Sequence, residues 1–405
     1  MIAIRGDRLL DDLRTLARFG AYETGVDRVA LSDLDLAARR WLVERLQAAG
    51  LAAAMDRVGN VLGRDPDADK AVLIGSHTDT VPIGGWLDGA MGVIYALEIA
   101  RAFREAGGRG PVGIDVVSFE DEEGTYLPFL GSRSFCGTLK PGEIEAARAE
   151  DGGPLPAALA PLAGASAEFR LDPARHLAFL EAHIEQGPRL EAAGRKIGVV
   201  TGITGIRRFR VTATGAANHA GTTPMAMRRD AGAALIRLAA WIGETFPALG
   251  GAETVFTIGA MAFRPGAANV VPGEAEMAVE IRDLDVAILD QMERALAERV
   301  AAASEGGVAV AMVRTTLVAP TAMADEIVAA LAAAADAAGH PPVMLPSGAG
   351  HDAMEVGRVL PAGMLFVPSI GGISHHVAEN TSDADIVLGC EVMADAISRI
   401  LQKIA

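Results

Sequence analysis

Cysteine is nearly absent: Cys136 and Cys390 are the only two in 405 residues, and they stand in no metal-type spacing. That excludes a disulfide framework and makes a reducing cytoplasm the expected compartment. Aromatic residues are only 4% of the chain although half of it is hydrophobic, so the core is expected to pack on Leu, Val and Ala. Lysine- or arginine-rich runs are missing and the net charge is −16, which argues against nucleic acid and anionic membranes as partners. No apolar stretch approaches the ~20 residues of a membrane helix. The opening MIAIRGDRLLDDLRTLARFG lacks the apolar region of a signal peptide. Neither HExxH nor GxSxG occurs, so neither a one-zinc peptidase helix nor a serine-hydrolase elbow is available.

What is present has α/β texture. SDLDLAARRWLVERLQAAG (32–50) has helical periodicity, with Ser32 as N-cap and Gly50 as stop. AVLIGSH (71–77) and GIDVVSFEDEE (113–123) read as buried strands, with a helix at 88–107 between them. That order predicts a parallel crossover and a site at the carboxyl ends of the strands. Residues 140–175 read as a loop with short helical pieces. Residues 205–320 carry alternating strand patterns (IRRFRVTATG, EMAVEIRDLD, VAVAMVRTTLV) with helices at 229–244 and 286–304, which suits a small α+β layer. Strand texture resumes at PAGMLFVPS (361–369), before a last helix at 383–403. A discontinuous first domain (1–204 and 321–405) with a second inserted at 205–320 is the expected organisation.

Five polar clusters stand beside glycine-rich or apolar stretches: His77 with Asp79, Asp88, Glu122–Glu123, His183 and His375. Carboxylates and imidazoles are costly to bury there unless something pairs them, and a divalent cation does so. Each has a bland reading. Asp88, between Gly84-Gly85 and a helix start, reads better as an N-cap on its own motif, and DEE reads as a solvated loop. Adjacent carboxylates such as Glu122 and Glu123 can divide their work, one ligating while the other accepts a proton. His77-Thr-Asp79 suits a ligand imidazole oriented through its second nitrogen. Taken together, these carboxylates and the three imidazoles suit two zinc-like ions.

The stretches GSHTDTVPIGGWLDGAMGV, FEDEEGTYLPFLGSRSFCG, HIEQGPRLE, GITGIRRFRVTATGAANHAGTTPMAMRRDA, NVVPGEAEMAVEIRD, PSGAGHDA and GISHHVAE resemble the amidase branch of the M20 metallopeptidases. That branch includes N-carbamoyl-L-amino acid hydrolases, allantoate amidohydrolases and ureidoglycolate-type enzymes. The resemblance implies a zinc-peptidase-like α/β catalytic domain with a mixed, largely parallel sheet. It also implies an inserted ferredoxin-like α+β domain serving as lid and dimerisation surface. It assigns His77, Asp88, Glu123, His183 and His375 to two divalent cations (Zn, Mn, Co or Ni), with Asp88 bridging. Glu122 becomes the general base, and Asp79 orients His77. The family spacing of His and Glu selects His375 with Glu379 over His376. Gln186, His219, Asn269 and Arg282 match substrate-binding positions, with Arg282 a carboxylate clamp, and His351 is a further pocket residue. His219 is expected from the partner subunit of a homodimer. The implied reaction is hydrolysis of a linear carbamoyl or ureido C–N bond, first of an N-carbamoyl-L-amino acid. The alternatives are allantoate or ureidoglycolate, then a dipeptide, then a metal-free binding protein of the same fold. The chain departs from the family's EEG-x-R-F by reading Gly124-Thr125-Tyr126-Leu127, which points to a less anionic side group on the substrate.

Overall fold

The computed structural model describes residues 2–108, 111–304 and 306–404. The chain divides into two compact units, one of Met1–Thr201 with Ala322–Ala405 and one of Gly202–Thr321. Among the described residues no helix is long and apolar enough to cross a membrane.

The larger unit is built on a nine-stranded mixed sheet. Its centre is four parallel strands in the order Ala362–Val367, His176–Ile184, Lys70–His77 and Val112–Phe119. Antiparallel strands flank them, Gly198–Ile203 on one side and Val61–Arg64 then Ala52–Met55 on the other. The parallel strands are apolar nearly throughout because helices cover both faces; Val112–Phe119 is buried at every position. Helix Ala90–Glu105 makes the crossover between Lys70–His77 and Val112–Phe119 and is itself buried from Ala90 to Ala102. Helix Asp33–Ala48 begins where expected, with the Ser32 side chain accepting from the Asp35 amide.

One boundary differs from the pattern in the sequence. The strand read as 113–123 leaves the sheet at Phe119. Asp121 then takes a left-handed φ of 55°, and its carboxylate accepts from the Tyr126 and Leu127 amides. This turn lifts Glu122 and Glu123 off the strand end.

The smaller unit has the order strand, helix, strand, strand, helix, strand: Gly205–Thr214, Ala231–Leu249, Val255–Arg264, Glu274–Asp283, Val286–Ala302 and Ala309–Val318. Its sheet order is Val255–Arg264, Glu274–Asp283, Gly205–Thr214, Ala309–Val318, all antiparallel. That is the ferredoxin-like split βαβ arrangement. Side chains alternate strictly in Gly205–Thr214. Phe209, Val211 and Ala213 pack with Leu235, Ile242, Leu289 and Leu296 of the two helices.

Candidate metal centre

All four central strands deliver chemistry at their carboxyl ends. His77 is the last residue of its strand and His183 the penultimate one of its own. Glu122 and Glu123 follow the turn after Phe119, and His375 follows Val367 by way of a short glycine-bearing turn. Asp88 enters from the loop before helix Ala90–Glu105, whose N-terminus has no side-chain cap. The N-cap reading of Asp88 therefore fails, and its carboxylate is turned to the histidines instead.

Asp88 divides its two oxygens. Oδ1 lies 3.4 Å from His77 Nε2 and 3.1 Å from His183 Nε2. Oδ2 lies 3.4 Å from His375 Nε2, which is 3.5 Å from Glu123 Oε1. Two triplets result, His77–Asp88–His183 and Asp88–Glu123–His375, each with its donor atoms within 4.8 Å of one another. Ligands bound at ~2.0–2.1 Å around a tetrahedral ion stand about 3.3 Å apart, so these gaps match the edges of a coordination shell.

The donor chemistry fits a cation as well. His77 Nδ1 donates to the Asp79 backbone oxygen at 3.0 Å, and His183 Nδ1 to that of Ile184 at 2.9 Å. A carbonyl only accepts, so each ring keeps its hydrogen on Nδ1. The Gly89 amide donates to His183 Nε2, which marks that nitrogen as an acceptor. The Nε2 atoms thus meet Asp88 Oδ1 acceptor against acceptor, which only a shared proton or a cation reconciles. Glu123 Oε1 is buried with no hydrogen-bond partner. Electrostatics point the same way. Burial opposes charge on His77, but Glu122, Asp88 and Asp79 outweigh it and raise its pKa well above the ordinary value. Burial, then Asp88, pushes the Glu123 carboxyl up to about 7. Burial also drives Glu122 well above the usual range. His375 is drawn up to about 9, chiefly by its contact with Asp88.

The surrounding chain is shaped to this cage. At Gly89, with φ of 62°, a Cβ would lie 2.3 Å from the His77 ring. A Cβ at Gly85 would lie 1.9 Å from the Glu379 carboxylate. Three non-glycine residues with left-handed φ, Asp121, Gln186 and His375, are at or beside the cluster, each at a cost of ~1–3 kcal/mol.

Glu122, 8% exposed, sits with Oε2 3.6 Å from His77 Nε2. The Asp79 carboxylate is 3.7 Å from His77 Nδ1, so the backbone oxygen of Asp79, not its side chain, holds that ring. Asp79 Oδ2 instead accepts from the Glu123 amide at 3.2 Å. Gln186 Nε2 donates to Asp88 Oδ2 at 2.8 Å. His351 is 1% exposed; it contacts Ser347 Oγ at 2.8 Å and packs edge-on to His183 at 4.5 Å. His376 is exposed and in neither donor triplet, its Nδ1 accepting from the Ala378 amide. Tyr126 packs against a small apolar cluster of Leu31, Leu36 and Leu130. His219, Asn269 and Arg282 belong to the smaller unit. There His219 is exposed on a short strand paired with Val271–Val270, and Asn269 accepts from the Ala220 amide. Arg282 Nε donates to Glu280 Oε1 at 2.6 Å.

Two further buried carboxylates support the cage. Glu379, 1% exposed, accepts from the Leu87 and Asp88 amides through Oε1 and from Ser374 Oγ through Oε2. Ser374 Oγ also lies 3.1 Å from Asp88 Oδ2. Glu181, on the same strand face as His183, accepts from Ser76 Oγ and the Ala353 amide. Glu379→Ala leaves the buried Leu87 and Asp88 amides unpaired, and we expect cation affinity to fall ~10–100-fold. Unchanged affinity in a calorimetric titration would remove Glu379 from that role.

The model of Peptidase family M20/M25/M40 matches residues 73–399. An N-carbamoyl-L-amino acid amidohydrolase of Geobacillus stearothermophilus is 36% identical, over 98% of this chain and 99% of that protein. An allantoate amidohydrolase of Bacillus subtilis is 33% identical over 97% of each. A solved amidase of the hydantoinase/carbamoylase family from Burkholderia phymatum shares 46% identity, covers 100% of both chains and superposes with a TM-score of 0.94.

Proposed function

The chain belongs to peptidase family M20/M25/M40, and from that premise we propose that it is a metal-dependent amidohydrolase of linear carbamoyl or ureido C–N bonds. N-carbamoyl-L-amino acids are the leading substrates, and allantoate or ureidoglycolate the second reading. The observation that carries the proposal is the division of Asp88 between His77–His183 and Glu123–His375. His77, Asp88 and His183 would hold one divalent cation and Asp88, Glu123 and His375 a second, drawn from Zn, Mn, Co or Ni. When bound, such a pair supplies Lewis acidity to the substrate carbonyl and to the attacking water.

Glu122 is the proton carrier of this reading. Burial raises its proton affinity, and a positioned carboxyl can take up and give back a proton. It takes a proton from water as the oxygen attacks the carbamoyl carbon, then returns it to the leaving nitrogen. The amino acid departs with a free amine, and the released carbamic acid breaks down to carbon dioxide and ammonia. Gln186, His219 and Asn269 bind the substrate. His219, reaching across from the partner of a homodimer, helps hold the developing oxyanion. Arg282 clamps the carboxylate with its planar fork. We place His351 behind His183, steadying that ring. The smaller unit serves as lid and dimerisation surface, and the compartment is the cytoplasm.

A panel of N-carbamoyl amino acids, allantoate, ureidoglycolate and dipeptides, assayed for ammonia or amine release with added divalent cation, tests this reading. Turnover is expected to be highest on N-carbamoyl-L-amino acids; cleavage of dipeptides alone would refute it. Arg282→Ala should lower kcat/KM for carboxylate-bearing substrates roughly 10- to 150-fold, the worth of a charged hydrogen bond. An unchanged kcat/KM would exclude the clamp.

A further inference from the structure

Beneath the cage lies a set of charges that the proposed chemistry leaves unused. Asp35, Asp79 and Glu120 are all fully buried, and all three converge on Arg39, which is buried as completely. Arg39 Nε lies 3.0 Å from Asp35 Oδ2 and 2.7 Å from Glu120 Oε2. Its Nη2 donates to the Phe119 backbone oxygen at 2.9 Å and lies 3.5 Å from Asp79 Oδ1. Nη1 faces the Gly59 and Ser118 backbone oxygens at 3.3 and 3.5 Å.

These contacts fall on the two strand ends that carry the cage. Phe119 is the last residue of the strand that leads into Glu122 and Glu123. Asp79 touches both ligands on that side: its backbone oxygen holds His77 Nδ1, and its Oδ2 holds the Glu123 amide. The Asp79 carboxylate makes no hydrogen bond to His77; besides the Glu123 amide it meets Arg39 Nη2 at 3.5 Å.

We propose that Arg39 is a positioning residue of the cation site: its fork ties Asp79 to the end of strand Val112–Phe119, so that His77 and Glu123 reach Asp88 together. The inference rests on the metal reading given above. A buried charge network of this kind is weak evidence for stability, because apolar residues of similar volume often stabilise as well or better. Its value lies in directional contacts. A lysine keeps the charge but cannot span Nε and Nη2 partners at once.

The test compares Arg39→Lys with Arg101→Lys. Arg101, on helix Ala90–Glu105, is also buried; it pairs with Asp12 of helix Gly6–Leu16 and is outside the cage. Each purified protein is stripped of metal, checked by thermal unfolding, and titrated with Zn²⁺ or Mn²⁺ in a competing chelator. Arg39→Lys should weaken cation binding ~10–100-fold, whereas Arg101→Lys should stay within about twofold at a comparable loss of stability. Equal affinities for Arg39→Lys and the wild type, or equal losses in the two variants, overturn the inference. Should Arg39→Lys fail to fold, Glu120→Gln decides. It removes the carboxylate nearest Arg39 Nε and is expected to weaken binding roughly threefold or more; wild-type affinity there overturns the inference. A wild-type protein that binds no cation refutes the metal reading and this inference together, and is told apart by the wild-type titration alone.

Discussion

Glu122→Gln is expected to lower kcat by ~10²–10⁴-fold, the usual contribution of a positioned acid–base group, while cation stoichiometry stays at the wild-type value. The substitution is isosteric, so packing around this 8%-exposed side chain survives. An amide cannot take a proton from water or return one to a leaving nitrogen. Glu122 is distinguished from Glu123 by position: Glu123 Oε1 faces His375, whereas Glu122 Oε2 faces His77 and lies in neither donor triplet. Burial, then the nearby Glu123 and Asp352 carboxylates, favours its protonated form, with His77 opposing. The check is kcat on the best carbamoyl substrate together with metal content after dialysis. A near-normal kcat would remove Glu122 as the base, and loss of metal with loss of activity would recast it as a ligand.

Much of this site is legible in the sequence because the parallel strands announce themselves. An uninterrupted apolar run ending in polar residues places His77 at a strand end, whereas the run before His183, which reads as helical in the sequence, is strand His176–Ile184; helix Asp33–Ala48 starts at Ser32 as its cap predicts. The alternating patterns in 205–320 likewise give the antiparallel sheet of the smaller unit. The departures come from contacts that no local pattern encodes. Asp88 reads as an N-cap until the fold turns its carboxylate toward histidines about 100 and 290 residues away. The strand expected to reach residue 123 stops at Phe119 because Asp121 folds back on the amides of 126 and 127. The Asp79 carboxylate, expected on His77, is taken by Arg39 and the Glu123 amide. Arg39 did leave a signal: with Asp35 it falls on the same helical face as Leu42 and Leu46. A charged pair in the apolar stripe of a buried helix marks a network to look for.

Asp88→Asn should have the largest effect on metal content. Its two oxygens serve different triplets, Oδ1 facing His77 and His183 and Oδ2 facing His375. An asparagine keeps the volume but offers one carbonyl oxygen, and its amide nitrogen is a poor ligand and a donor. The negative charge that offsets the dications is lost as well. The variant is therefore expected to hold at most one cation after dialysis, with activity down more than ~100-fold. His375→Asn gives the necessary contrast, since it touches only the Asp88–Glu123 triplet and leaves His77 and His183 intact. It should lose one equivalent and retain the other. Metal analysis of the three proteins side by side separates a shared bridge from two independent sites. If Asp88→Asn kept two tightly held cations, the bridge would be wrong, because no other described carboxylate lies in both triplets.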